Sequence, residues 1–375
     1  MQNLKAAEKF CKTVLKDLVN IRSVSGEEER LIVYLEKLFS ELGLKARRIP
    51  PKLKPSNLLV SIGQGEPVIC LNAHADTVPP AGKSKPRARL VKNRLYGLGS
   101  SDDKGPLVAA ICAIKNSGID KGHLKGRVDL LVSIGEERGG EGTELAIRSG
   151  YRCGGAVVCE STGLDIAIAQ SGVYFIDLKT KGIACHGSKP WQGKNAILEM
   201  MDLVAQIKKV VETRKHFPLT GQPSLNLGAI QAGDIPNRVP DSCSARLDMR
   251  LMPGENMASF KKAIAKIFKK KRWRSASYIV TQDREPMLTD KKNTVVRALS
   301  RATRCVLGYS PRCLGIRGWT EAGNFSHFLN VPAIIFGPGS MGRAHSADEW
   351  IELEEVYQAA RIYELFIKEM LDGNL

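Results

Sequence analysis

No run of 18 or more consecutive apolar residues occurs in the chain, so the simplest signature of a membrane-spanning helix is missing. A secretory leader is not expected either. Met1 to Asn20 is mixed and charged, with Leu4, Phe10, Val14 and Leu18 at helical spacing. The nine cysteines, at 11, 70, 112, 153, 159, 185, 243, 305 and 313, contain no C-x-x-C, are odd in number and mostly sit in apolar runs. That excludes paired thiolate zinc ligands at short spacing. It also argues against a disulfide framework and reads as buried free thiols in a reducing, cytoplasmic compartment. Internal repeats and low-complexity tracts are not found. Negative charge is short: 39 Asp and Glu stand against 56 Lys and Arg, a formal net charge of +17.

The densest positive piece is Lys269, Lys270, Lys271, Arg272 and Arg274, with Trp273 inside the run. A nucleic-acid patch and the steering of anionic substrates are two readings of it. No recognisable binding motif accompanies the run, so it reads first as a solvated, lysine-rich helix end and a nucleic-acid partner is not expected.

At 375 residues the chain is long enough for two domains. Strand-like and helix-like segments alternate, which predicts an α/β core with a mostly parallel sheet. Helices are expected over 4–20 and 27–42, the second opened by a capping box of Ser25 with Glu28 and stopped near Gly43. Buried strands are expected at Leu58–Ile62, Val68–Asn72, Val128–Ile134, Ala156–Cys159 and Ala333–Phe336. From about Gly172 the texture changes. Strands near 173–181, 224–231, 242–251 and 276–281 enclose helices near 194–212 and 257–270, the β-α-β-β-α-β order of a ferredoxin-like unit. The expected organisation is a discontinuous catalytic domain (1–174 and 285–375) into which a small α+β domain (175–284) is inserted.

The ends of the buried strands carry the chemistry. Val68–Asn72 runs into Ala73-His74-Ala75-Asp76, Val128–Ile134 into Gly135-Glu136-Glu137, and Ala156–Cys159 into Glu160. Ala333–Phe336 leads into a glycine-rich loop that ends at Ala344-His345-Ser346, and Gly97–Gly105 holds Asp102 and Asp103 before an apolar helix. In an open α/β sheet, ligands bind outside the carboxyl ends of the strands. Two histidines and three or four carboxylates, without cysteine, suit a pair of hydrolytic zinc ions. With three carboxylates their charges cancel, since these and a hydroxide offset four positive charges, which makes burial tolerable. Asp76 is placed to receive the second ring N–H of a zinc-bound His74. Of Glu136 and Glu137, one is suited to bind metal while its neighbour carries the proton from water to the leaving nitrogen.

At these residues the chain resembles the zinc-dependent family of acetylornithine deacetylase, succinyl-diaminopimelate desuccinylase, aminoacylase and carboxypeptidase G. His74-Ala75-Asp76 matches the family's H-x-D, Gly97–Gly105 its G-x-G-x-x-D-x-K-G, and Glu136-Glu137 its E-E, with Glu160-Ser161-Thr162 and Ala344-His345-Ser346 completing the set over essentially the full length. The resemblance implies a zinc exopeptidase-like mixed sheet flanked by helices, with a ferredoxin-like lid and dimerisation domain. It implies that Asp102 bridges two zinc ions (cobalt or manganese being substitutes), with His74 and Glu160 on one and Glu137 and His345 on the other. Glu136 would be the base, and the Asp102–Asp103 peptide would be cis. His186 would help to stabilise the oxyanion, in some members from the partner subunit, and Asn237 and Arg250 would contact the substrate carboxylate. An ion pair of Arg250 with Asp248 or Asp241 is the alternative for that arginine. His123, His216 and His327 match no motif and read as surface or core residues.

Gly318-Trp319-Thr320-Glu321-Ala322 with Gly337-Pro338-Gly339-Ser340 looks closest to acetylornithine deacetylase. Glu321 would face a distal amine of the substrate or buttress the loop. The expected function is therefore hydrolysis of the amide of a small N-acyl amino acid by a homodimer in the cytoplasm. Acetylornithine-like deacetylation ranks first, desuccinylation second, and dipeptidase or carboxypeptidase action third. A catalytically silent nucleic-acid-binding or scaffold protein is the rival from another class, and the complete ligand set with Glu136 speaks against it.

Overall fold

The computed structural model of the chain describes residues 2–80, 87–117 and 125–372. It divides into two compact units: Met1–Ile168 with Thr289–Leu314 and Thr320–Leu375, and Ala169–Leu288 with Gly315–Trp319. His123 lies outside the described residues. Among these residues no helix is long and apolar enough to cross a membrane.

The first unit is built on a mixed sheet flanked by helices. At its centre Gly126–Ser133, Val68–His74, Gly155–Val158 and Ala333–Ile335 lie side by side and parallel. Asn57–Gln64 with Ala46–Ile49 on one side, and Ile166–Gln170 on the other, continue it antiparallel. The parallel strands are the continuous apolar runs of the sequence, and every residue of Val68–His74 is buried, as helices on both faces require. The helix Lys104–Asn116 is apolar all round and buried from Lys104 to Ile114, the mark of a helix inside a core. Glu29–Glu41 is amphipathic by contrast, with Leu31, Ile32, Leu35, Leu38 and Phe39 inward.

Two local expectations are corrected. The capping box does not form: Glu28 stands at the N-cap without a side-chain cap bond. Ser25 donates its hydroxyl to Asp76 instead, and one oxygen of Glu28 accepts the Gly135 N–H. Long-range partners have outcompeted the local one. The cysteines are likewise not all free, for Cys11 and Cys112 are joined in a disulfide with Cα atoms 6.5 Å apart. The tertiary fold brings the helices Gln2–Asn20 and Lys104–Asn116 together across 101 residues of sequence, which spacing along the chain cannot reveal. The other seven cysteines are free.

In the second unit Gly172–Lys181, Ser224–Ala232, Ser242–Leu251 and Ala276–Arg284 form an antiparallel sheet. Numbered in chain order, they lie 2-3-1-4 in space, as in a ferredoxin-like fold. Ala196–Glu212 and Met257–Phe268 bury Met200, Leu203, Ile207, Phe260 and Ile264 against Tyr174, Ile176 and Leu178 of the sheet. Each helix begins on an asparagine whose side chain accepts backbone N–H groups, Asn195 and Asn256. Trp273 of the basic run is a core residue of this unit, only 1% exposed, and its indole donates to Gln206. It is therefore not offered for stacking on a base.

Candidate metal centre

His74 is the last residue of its strand, and its ring is 1% exposed. Its Nε2 lies 2.9 Å from Oδ1 of Asp102 and 3.8 Å from Oε1 of Glu160, which follows the neighbouring strand. On the other side of Asp102, Oδ2 lies 3.4 Å from Nε2 of His345, and that nitrogen lies 3.0 Å from Oε1 of Glu137. Two trios result, His74–Asp102–Glu160 and Asp102–Glu137–His345. In each, the donor atoms lie within 4.8 Å of one another, and Asp102 is common to both.

The donor set fits a pair of hard or borderline divalent cations: two imidazoles and three carboxylates, with no thiolate. Electrostatics lead to the same conclusion. Burial pushes the Glu160 carboxyl well up, and the charges of Asp102 and Asp103 push it further. Burial also raises Glu136 well above the usual carboxylate range, with Glu160, Glu321 and Glu137 adding to the repulsion. Hydrogen bonds to Asp102 and Glu137 lift the His345 imidazole to about 10, so its proton supplies the positive charge that the acids require. A cation between these groups would take the place of such protons.

Asp76 links the trios to the Glu-Glu turn. Its Oδ1 lies 3.4 Å from Nδ1 of His74, and the same ring nitrogen is 3.0 Å from the Asp76 carbonyl oxygen. The Asp76 carboxylate also accepts the backbone N–H of Glu136 at 3.0 Å and of Glu137 at 3.1 Å. Gly135, at φ +66°, starts this one-turn 3-10 segment, Glu136–Arg138, in a conformation that favours glycine.

A glutamate that sequence reasoning did not single out fixes the loop of Asp102. Glu349, 2% exposed, accepts N–H groups from Gly99 at 2.8 Å, Ser101 at 2.7 Å and Asp102 at 3.0 Å. Burial pushes it up to about 7, against the pull of those three donors. Its only sequence signal is its position four residues after His345. Ser161 ties the segments of Glu160 and Asp102 together by donating to the Ser101 carbonyl at 2.6 Å. The Asp102–Asp103 peptide is cis.

The remaining candidates are placed as follows. Glu321, in the first unit, is 1% exposed. It accepts the Ser133 hydroxyl on one oxygen, and its other oxygen has no hydrogen-bond partner among the described residues. His186, Asn237 and Arg250 belong to the second unit. His186 is exposed, and its Nδ1 accepts the Ser188 N–H at 3.1 Å. Asn237 is exposed and accepts the Gly187 N–H on its carbonyl oxygen. Arg250 forms a two-pronged ion pair with Asp248, at 2.7 and 3.0 Å. His216 and His327 are both exposed.

The chain is similar to known proteins over most of its length. The profile described as "Peptidase family M20/M25/M40" matches residues 70–369. A putative [LysW]-lysine/[LysW]-ornithine hydrolase of Pyrobaculum aerophilum is 31% identical over 366 residues, covering 95% of this chain and 96% of that one. An acetylornithine deacetylase of Klebsiella pneumoniae is 28% identical, covering 90% and 92%. A probable succinyl-diaminopimelate desuccinylase of Staphylococcus aureus is 26% identical with the same coverage. Among solved structures, an M20 family metallo-carboxypeptidase of Sulfolobus solfataricus superposes with a TM-score of 0.82 at 20% identity, over 96% of this chain and 98% of that one. A dinuclear metal-binding peptidase of the same family from Bacillus subtilis gives 0.74 at 16% identity, over 99% and 100%.

Proposed function

Since the chain belongs to peptidase family M20/M25/M40 and is a metal-dependent hydrolase, we propose that it cleaves the amide of a small N-acyl diamino acid, acetylornithine-like substrates first. The observation that carries the reaction class is the pair of trios sharing Asp102, with Glu136 one residue from Glu137. The substrate class is supported by the relatives, whose names specify lysine, ornithine, acetylornithine and succinyl-diaminopimelate. The acyl portion differs between these names, but the amine released is a diamino acid each time. Desuccinylation is the second reading and dipeptide cleavage the third.

In this proposal His74, Asp102 and Glu160 hold one zinc ion, and Asp102, Glu137 and His345 the other. When bound, such a pair lowers the pKa of water and polarises the scissile carbonyl. The chain's own groups do the rest. Asp76 orients the His74 ring and, through two backbone N–H groups, the turn that carries Glu136 and Glu137. Glu136 takes a proton from the attacking water and delivers it to the departing nitrogen, so one water is consumed and one acid and one amine are released. Its raised carboxyl suits a group that must hold that proton between the two events. His186, whose Nδ1 accepts the Ser188 N–H, is assigned the contact with the oxyanion.

Asn237 is the first choice for the substrate carboxylate, and Arg250 follows it because Asp248 already engages two of its nitrogens. Glu321, buried on the Ser133 hydroxyl, is better suited to buttress the strand ends than to meet a ligand directly. The second unit is proposed to mediate a homodimer. Ile183, Trp191, Leu198 and Met201 are each at least 60% exposed there, large apolar side chains of the kind that an interface would cover.

The test is a substrate panel with zinc-loaded enzyme: N-acetylornithine, N-succinyl-diaminopimelate and a set of dipeptides. We expect kcat/KM for N-acetylornithine to exceed the others at least about tenfold, a difference of roughly 1.4 kcal/mol in transition-state binding. Equal, trace-level turnover on all three would overturn the substrate assignment.

A further inference from the structure

His345 differs from the other four proposed ligands in how it is supported. His74 ends a buried strand, and Glu160, Asp102 and Glu137 follow strands or sit on turns pinned by backbone hydrogen bonds. His345 instead rides on a series of turns between Ser340 and Glu349, with its side chain 51% exposed. Its backbone is left-handed, at φ +62°, a conformation that non-glycine residues adopt only where surrounding structure imposes it. Both ends of this segment are anchored. Ser340 donates its N–H to Ser101, and Glu349 grips the Asp102 loop. Neither anchor reaches the middle, where His345 sits.

Arg343 makes the contact there. Its guanidinium carbon lies 3.5 Å from the centroid of the Trp350 ring. Trp350 is immobilised in turn: it opens the short strand Trp350–Glu352 and pairs with Tyr96 of the strand Arg94–Tyr96. Arg94 also lies over the indole, at 3.9 Å, and is fixed by a 2.7 Å bond from its Nε to Glu352. A guanidinium on an indole is the strongest of the common cation–π pairs, and planarity gives it a direction that a point charge lacks. The Arg343 carbonyl accepts the Ser346 hydroxyl at 2.7 Å. Arg343 thus holds the residue after His345 as well as standing two residues before it.

We propose that Arg343 and Trp350 are positioning residues that set the reach of His345, and through it the affinity of the Asp102–Glu137–His345 trio for its cation. The trio of His74, Asp102 and Glu160 does not depend on them. This inference rests on the two-cation reading given above, and the test separates failure of one from failure of the other.

The full-length protein is stripped of metal and titrated with zinc against a competing chromophoric chelator. Wild type is expected to take up two equivalents. Arg343→Ala should bind its first equivalent as wild type does and its second at least about tenfold more weakly, with folding unchanged by circular dichroism. Arg343→Lys keeps a cation near the ring but not the stacked plane and should recover only part of the loss. Trp350→Leu should weaken the second equivalent to the same degree, and the double variant should add nothing further, because both changes remove one contact. If Arg343→Ala binds both equivalents with wild-type affinity, or changes KM alone as a substrate contact would, the inference is overturned and the two-cation reading stands. If both equivalents weaken equally, the selective role is wrong. Wild type taking up no second equivalent would remove both.

Discussion

The hydroxyl of Ser25 donates to Oδ2 of Asp76 at 2.6 Å, across 51 residues of sequence. That same oxygen accepts the backbone N–H of Glu137, and Oδ1 accepts that of Glu136. An N-terminal serine, the His-x-Asp segment and the Glu-Glu turn therefore form one network, and Asp76 is where they meet. Its carboxylate is 0% exposed, so each donor it loses leaves negative charge less compensated in a medium that screens poorly.

Ser25→Ala tests whether that network serves catalysis. Hydrogen bonds to charged groups contribute about 1.5–3 kcal/mol, and only part of that should reach the transition state. We expect kcat to fall about tenfold with KM and zinc content unchanged, and Ser25→Thr to recover most of the activity. Wild-type kcat in the alanine variant would show that Asp76 is held well enough without the serine.

Glu136→Gln tests the proton carrier. The amide keeps the volume of the side chain and removes its ability to shuttle a proton, so two zinc equivalents should still bind. Loss of general acid–base catalysis costs about 10²–10⁴ in rate, and we expect kcat to fall within or beyond that range. Turnover within tenfold of wild type would mean that another group moves the proton.

What could be read from the sequence, and what could not, follows from the range of the forces involved. His74, Glu136, Glu137 and Glu160 could be placed because each follows a continuous apolar run, and a parallel strand buried on both faces leaves such a run in any sequence. The ferredoxin-like order of the second unit was legible for the same reason, since period and breaker residues are local. Ser25 and Glu28 had the spacing of a capping box, yet both turned to partners more than 50 residues away. Local rules rank only local competitors. Glu349 offered no pattern at all: its function lies in three backbone N–H groups from a loop some 250 residues earlier. The bond between Cys11 and Cys112 is of the same kind. These are tertiary pairings, which no local pattern in the sequence records.

Glu349→Ala should act mainly on stability. It would leave the N–H groups of Gly99, Ser101 and Asp102 without their acceptor in a buried loop, and each unsatisfied buried group costs about 1–3 kcal/mol. Some of that will be relieved by water or by movement of the loop, so we expect a net loss of roughly 3–5 kcal/mol. Glu349→Gln keeps one acceptor oxygen and should lie between the alanine variant and wild type. Chemical denaturation of the metal-free proteins gives the comparison. Equal midpoints for the alanine variant and wild type would mean that the loop is held by other contacts.

The pH dependence of stability has a traceable component far from the metal centre, where Arg48 joins the strand Ala46–Ile49 to the helix Glu29–Glu41. Its Nε and one terminal nitrogen bond both oxygens of Glu36, at 2.7 and 2.9 Å, and the other terminal nitrogen bonds Glu29 at 2.9 Å. The hydrogen bond from Arg48 holds the Glu36 carboxyl below its ordinary value of 4.5, against a smaller opposing effect of burial. A carboxyl depressed in the folded state binds fewer protons there than in the unfolded chain, so stability rises with pH through that window. The contribution is fully present above pH 4.5 and is lost as the pH falls through the depressed value. Glu36 is 35% exposed, so solvent screening limits the pair to about 1 kcal/mol. Arg48→Met retains the aliphatic stem and removes the charge. We expect it to be less stable than wild type by that amount at pH 7, with the gap narrowing as the pH falls below 4.5 and Glu36 takes up its proton. Urea denaturation of both proteins at pH 7 and pH 3 measures this directly. A gap that stays constant between pH 7 and pH 3 would show that packing of the arginine stem, and not its charge, links the strand to the helix.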